Sequence, residues 1–190
     1  PQGTVCWRQP MAASLRAVAW ADGLLLLVYP QRVTALDSGT GEVRWDAATP
    51  LVIRRFQVAP PVFVFGPFDA QHRVKEAAAL SLATGQLAWR QDFAALGADN
   101  WGNRFVRIAW DGKSIHFLAE QDQRGYFDVV VTPADGGVTA TRPWFRGQEP
   151  AAFLSNEQFA FHLDQEGWLH RFRLATGEPM GSTSSPSRST

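Results

Sequence analysis

Short runs in which apolar and polar residues alternate with period two fill most of the chain, broken every few residues by Gly, Pro, Asp or Ser. Such runs predict half-buried or buried β-strands, and no segment carries a convincing helical period. In the first unit Leu15 to Trp20, Leu24 to Tyr29, Arg32 to Leu36 and Glu42 to Trp45 read as four strands. Ala21-Asp22-Gly23, Pro30-Gln31 and a glycine turn separate them. A later unit repeats the plan, with Arg104 to Trp110, Ser114 to Ala119, Tyr126 to Val131 and Val138 to Thr141. Both units place Asp-Gly in the first hairpin, where positive backbone angles suit Gly and Asp. Pro60-Pro61 and Ser155-Asn156-Glu157 stand at the same place in the other two units.

The alternation is organised by a phrase that returns along the chain. ALDSGTGEVRW (35 to 45) aligns without gaps to ALSLATGQLAW (79 to 89), and its second half aligns to Gly3-Thr-Val-Cys-Trp7. FRLATGEPMGS (172 to 182) is a weaker copy, and VVTPADGGVTA (130 to 140) keeps only the turn and the alternation around it. The last turn glycines, Gly3, Gly41, Gly85, Gly136 and Gly177, are spaced by 38, 44, 51 and 41 residues. Four antiparallel strands recurring at about 40 to 50 residues is the signature of β-propeller blades. The expected fold is therefore all-β, with four-stranded antiparallel blades spanning residues 1–182 and a disordered Ser-rich tail over 183–190.

The pattern Ala-x-Asp-x-x-Thr-Gly-x-x-x-Trp resembles the tryptophan docking motif of quinoprotein-like (PQQ-like) propeller repeats. The resemblance covers nearly the whole chain and is strongest at 35–45. It implies a structural job for Trp7, Gly41, Trp45, Gly85, Trp89 and Gly177, with each tryptophan docking one blade onto the next. Propellers of this family commonly have eight blades. The last copy carries Gly181 where Trp7, Trp45 and Trp89 stand. One way to satisfy the strand edges is for Gly3 to Trp7 to complete the blade built from 151–154, 158–163 and 168–174. The chain then reads as a piece of a larger ring, as half of a ring completed by a homodimer, or as a small closed ring.

Charge and composition narrow the partners. Eighteen Lys plus Arg balance eighteen Asp plus Glu across 190 residues, so there is no basic field for nucleic acid or an anionic membrane. The longest apolar run, Leu24 to Tyr29, is far short of the roughly 20 residues that cross a bilayer as a helix, so no transmembrane segment is expected. Cys6 is the single cysteine, which rules out an internal disulfide. It reads as a strand residue matching Arg44, without the small residues that precede a lipidated cysteine.

No cofactor, metal or catalytic set is legible. The family's enzymes bind a quinone at the ring centre, usually with calcium and often with adjacent cysteines, and this chain has one cysteine. Asp99 to Asn103 lacks the alternating carboxylates of a calcium loop. His116, His162 and His170 read as satisfied strand histidines, with neither the spacing nor the neighbours of a zinc site. Gly39-Thr40-Gly41 leads into a strand, whereas a phosphate cradle leads into a helix. The expectation is a non-catalytic scaffold for protein–protein interaction, with a quinone-dependent dehydrogenase or small-ligand sensor domain as the alternative. Recognition is expected on the loop face, where Phe68, His72, Arg73, Trp101, Arg104, Trp144, Phe145 and Arg146 combine the aromatic and arginine chemistry of interface hot spots. The resemblance further implies a periplasmic or otherwise extracytoplasmic setting in the cell envelope.

Overall fold

The computed structural model describes residues 7–10, 12–67, 76–93, 104–121, 125–145, 152–155, 158–164 and 166–184; for 104–106, 120, 121, 125, 126, 142–145, 152–155 and 184 it describes the backbone alone. The described chain forms sixteen strands in four antiparallel sheets, each sheet built from consecutive strands. Blade 1 contains β1 (Ala17–Ala21), β2 (Leu24–Tyr29), β3 (Arg32–Asp37) and β4 (Val43–Ala48). Blade 2 contains β5 (Arg55–Ala59), β6 (Val62–Gly66), β7 (Glu76–Ser81) and β8 (Leu87–Asp92). Blade 3 contains β9 (Arg104–Trp110), β10 (Ile115–Gln121), β11 (Gly125–Val131) and β12 (Val138–Phe145). Blade 4 contains β13 (Ala152–Ser155), β14 (Phe159–Leu163), β15 (Trp168–Arg173) and β16 (Pro179–Ser184).

Period-two sequence becomes two-sided burial because successive residues of a strand point to opposite faces of its sheet. Ala21, Leu26, Val28, Val33 and Ala35 on one face of blade 1 meet Phe63, Phe65, Ala78 and Leu80 of blade 2 in a continuous core. The other face of blade 2, with Val62, Val64, Ala77 and Ala79, meets Ile115, Phe117, Val129 and Val131 of blade 3. First strands touch in the order β1, β5, β9, β13, so the blades fan out from a common side. The architecture is an arc of four β-propeller blades.

The hairpin between β1 and β2 confirms the Asp-Gly reading. Ala21 pairs with Leu24, leaving Asp22 at φ 47 and Gly23 at φ 77, both central positions of a two-residue turn that needs positive angles. In the recurring phrase Gly41 has positive φ, at 76, and Gly39 does not.

Blade 4 differs from the expected ring closure. Its fourth strand is β16, paired to β15 through Trp168–Ser184, Leu169–Thr183 and His170–Ser182. Pro179–Ser184 thus takes the fourth-strand place for which Gly3 to Trp7 is one candidate in the sequence. Strand structure continues through Ser184, two residues beyond the boundary read at 182, and 185–190 lie outside the described residues.

Candidate functional site

The repeated phrase builds a joint. Trp45 on β4 reaches out of blade 1 and donates its indole Nε1–H to the carbonyl of Leu82 in blade 2, at 2.8 Å. Trp89 does the same to Pro133 of blade 3 at 2.8 Å, and Trp7 to Ser38 of blade 1 at 3.1 Å. Each ring lies on a turn glycine. A Cβ on Gly85 would stand 2.6 Å from Trp45 Cε3, and one on Gly41 would stand 2.6 Å from Trp7 Cδ2. Gly136 meets Trp89 in the same way, at 2.7 Å. These distances are shorter than any side chain tolerates, so glycine is dictated by the indole as well as by positive φ.

Asp37 shapes the first of these turns. Its carboxylate takes a hydrogen bond from Arg44 at 2.8 Å and accepts the backbone N–H groups of Gly39 and Thr40, each at 3.0 Å. Arg44 foremost, then the two amides, hold the Asp37 carboxyl down to about 2.

The third turn glycine, Gly136, receives its tryptophan, but blade 3 returns none from the equivalent position. Ala140 stands four residues after Gly136, where Trp45 and Trp89 stand after Gly41 and Gly85. Gly177 keeps the positive φ of the family, at 72, without a docking tryptophan from that position. Gly181, in the same place on β16, has open space where a side chain would point.

The seam between blades 3 and 4 departs from the other two in chemistry as well. Leu26 and Val33 in blade 1, and Val64 and Ala77 in blade 2, occupy the core positions that face the next blade, with no more than 0% exposure. The same positions in blade 3 hold His116 and Asp128, each 1% exposed. Their equivalence follows from register: Leu26, Val64 and His116 pair directly with Ala35, Ala79 and Val130. The His116 Nδ1 lies 3.0 Å from both Asp128 carboxylate oxygens. Its Nε2 lies 3.1 Å from Asp111 Oδ2, an ionic contact that is not aligned as a hydrogen bond. Asp111 follows β9 at the place of Ala21 and Ala59 and accepts the backbone amides of Lys113 and Ser114.

Burial works against a charged imidazole at this depth, but Asp128, and after it Asp111, outweigh that cost and raise the pKa of His116 above its ordinary 6.5. The Asp111 carboxyl is opposed by burial as well, yet the Ser114 amide, His116 and the Lys113 amide leave it below its ordinary value. Both ring nitrogens of His116 face carboxylates inside the protein. The two carboxylates favour the protonated imidazole, against the burial that disfavours it.

Across the seam, Ala160 of blade 4 packs on Ala109 of blade 3 together with Leu174. Ala109 pairs with His116, and Ala160 shares its face with His162, so the two histidine-bearing faces meet. His162 is 5% exposed and its ring lies 5.3 Å from that of His170, whose Nε2 contacts Asp164 at 2.9 Å. Burial, and next the charge of His170, lower the His162 pKa, with Asp164 partly offsetting them. The sequence showed these histidines as strand residues; that His116 and His162 lie on the two opposed faces of one seam emerges only from pairing register.

Phe68, His72, Arg73, Trp101 and Arg146 lie outside the described residues, and only the backbone is described for Arg104, Trp144 and Phe145. Arg104 opens β9, while Trp144 and Phe145 end β12, with Phe145 paired to Tyr126, rather than standing in a connection. What sequence reading missed is the open face of blade 1. Val18 and Trp20 are 53% and 67% exposed, whereas their counterparts Phe56 and Val58 in blade 2, and Ile108 and Trp110 in blade 3, pack against the preceding blade. A trough of about 470 Å³ runs over the same sheet, lined by Leu27, Tyr29, Thr34 and Leu36 and by Gln9 and Pro10. Among the described residues no group of three or more His, Cys, Asp or Glu is placed to hold a metal ion, and no helix is long and apolar enough to cross a membrane.

No family model matches the sequence, and no curated protein matches it. Solved structures share the fold. BamB from Moraxella catarrhalis superposes with a TM-score of 0.58 at 14% identity, covering 88% of this chain and 48% of that one. A quinohemoprotein alcohol dehydrogenase from Pseudomonas putida gives 0.57 at 16% identity, covering 90% and 34%. A europium-containing methanol dehydrogenase gives 0.60 at 12% identity, covering 90% and 41%. The chain thus spans less than half the length of each of these structures. At such identities the likeness establishes the β-propeller fold and no activity, since one fold hosts unrelated functions.

Proposed function

We propose that this chain is a run of quinoprotein-like propeller blades that works as a non-catalytic scaffold for protein–protein interaction in an extracytoplasmic compartment. The repeat assignment is supported by the tryptophan-on-glycine joint, made three times with the same ring placement. The interaction role rests on one observation, the exposure of Val18 and Trp20 on a blade face whose counterparts are covered by β-sheet in blades 2 and 3. A face of that shape and apolarity takes an apolar β-surface, supplied by a further blade or by a partner protein. The extracytoplasmic setting is supported by the repeat assignment alone.

Photo-crosslinking from residue 20, with a photoreactive aromatic in place of Trp20, tests the surface. A discrete protein adduct is expected from residue 20 and none from the exposed turn residue Glu42; equal labelling at both, or none at either, overturns the assignment. Alcohol-dependent reduction of an added quinone dye by the purified chain would overturn the non-catalytic part.

A further inference from the structure

Among the described residues, the seam between blades 3 and 4 shows neither of the two devices that lock the other two. Ala140 replaces the docking tryptophan, and His116, Asp128 and Asp111 replace apolar residues that are buried in blades 1 and 2. A charged imidazole offsets one of the two carboxylates it contacts, whereas a neutral imidazole offsets neither. Buried charges are tolerated when paired and costly when not. From this geometry we propose that the blade 3–blade 4 seam is a pH-responsive joint, closed by protonated His116 and loosened when that proton leaves.

The two faces that meet at this seam both carry charged and titratable groups. Among the described residues, blade 3 supplies Asp111 after β9, Arg107 on β9 and Asp128 on β11. Blade 4 presents His162 on β14, His170 on β15 and Asp164 between them. The two blades make opposite demands. His116 has a raised pKa in the closed seam, so its contribution is complete below about 6.5 and fades as pH climbs through the raised value. His162 has a lowered pKa, so its charging would strain the seam on the acid side. The direction of opening therefore identifies which histidine acts.

Hydrogen exchange of the whole chain between pH 5 and 9, corrected for the intrinsic rate, reads the joint by strand. Opening of β14 and β15 is expected to rise about tenfold per pH unit above about 6.5 until the raised pKa of His116 is reached, with β2, β3, β6 and β7 unchanged. The double substitution His116→Leu/Asp128→Val copies blade 1 and should abolish that rise, while His162→Phe, which copies Phe65 and Phe117, should leave it intact. The proton NMR titration of His116 in the unsubstituted chain should show its inflection where the exchange rise levels off. A uniform pH response across all four blades, opening on the acid side instead, or a His116 titration unrelated to the exchange rise would each overturn the proposal.

Discussion

Trp45 stands over Gly85, its indole Nε1–H bonded to the carbonyl of Leu82 and its ring pressed on the glycine Cα from a neighbouring blade. Two sequence-distant residues are thereby made interdependent. The tryptophan has somewhere to lie because residue 85 has no side chain, and Trp45 spans the gap that ties the turn to blade 1. An alanine at 85 meets two penalties, ~1–2 kcal/mol for a left-handed backbone and ~1–3 kcal/mol for overpacking against the ring. Gly23 has nearly the same φ, at 77, with nothing within reach of a Cβ. Urea unfolding should show Gly85→Ala costing clearly more than Gly23→Ala; equal costs would mean the ring contact contributes nothing.

Trp45→Phe removes the indole donor and part of the ring while keeping an aromatic between blades. A buried carbonyl left without its donor costs about 1–3 kcal/mol. Thermal unfolding should register that loss, and a wild-type Tm for Trp45→Phe would contradict the joint described for Leu82.

Acid should weaken the first joint turn before neutral or alkaline pH does. The Asp37 carboxyl sits near 2 in the folded chain, below its ordinary 3.8. A depressed carboxyl stabilises the fold above its unfolded value and ceases to do so as pH falls from about 4 towards 2. Asp37→Asn retains an acceptor for the Gly39 and Thr40 amides but no charge for Arg44. Unfolding measured from pH 5 down to pH 2 should be less steep in this variant than in the parent; parallel curves would remove Asp37 from the acid response.

The open face of blade 1 and the covered face of blade 2 should respond differently to truncation. Trp20→Ser removes a side chain that is 67% exposed and should change stability by no more than about 0.5 kcal/mol. Phe63 is 0% exposed and stacks on Phe56 at 5.2 Å, so Phe63→Ala should cost about 3–5 kcal/mol. Stability measured by urea titration decides; a large loss from Trp20→Ser would show that its ring is covered within the chain and would undercut the proposed interaction surface.

Much of this arc is written locally. Period-two alternation, the Asp22-Gly23 hairpin and the turns at Gly41, Gly85 and Gly136 each depend on residues only a few positions apart, so strands and turns could be read directly and the blade repeat from their recurrence. The docking role of Trp45 and Trp89 was legible through the resemblance, because the phrase carries both the ring and the glycine. Even so, the phrase does not say that the ring meets the next blade's glycine rather than its own.

The remainder needed the third dimension. Whether β16 or the N-terminal segment completes blade 4 is a competition between pairings that each read as acceptable strands. His116 and Asp128 are separated by twelve residues and an intervening loop, and each alone looks like a polar residue on a half-exposed strand. Register turns both onto the face that blade 4 covers, and burial converts two ordinary side chains into a charge cluster. Val18 and Trp20 illustrate the converse: their pattern is that of core residues, and only the absence of a described blade beside them reveals an open face. Local chemistry determines what a strand can be, whereas burial depends on which sheet lies opposite, and that is a property of the assembled blades.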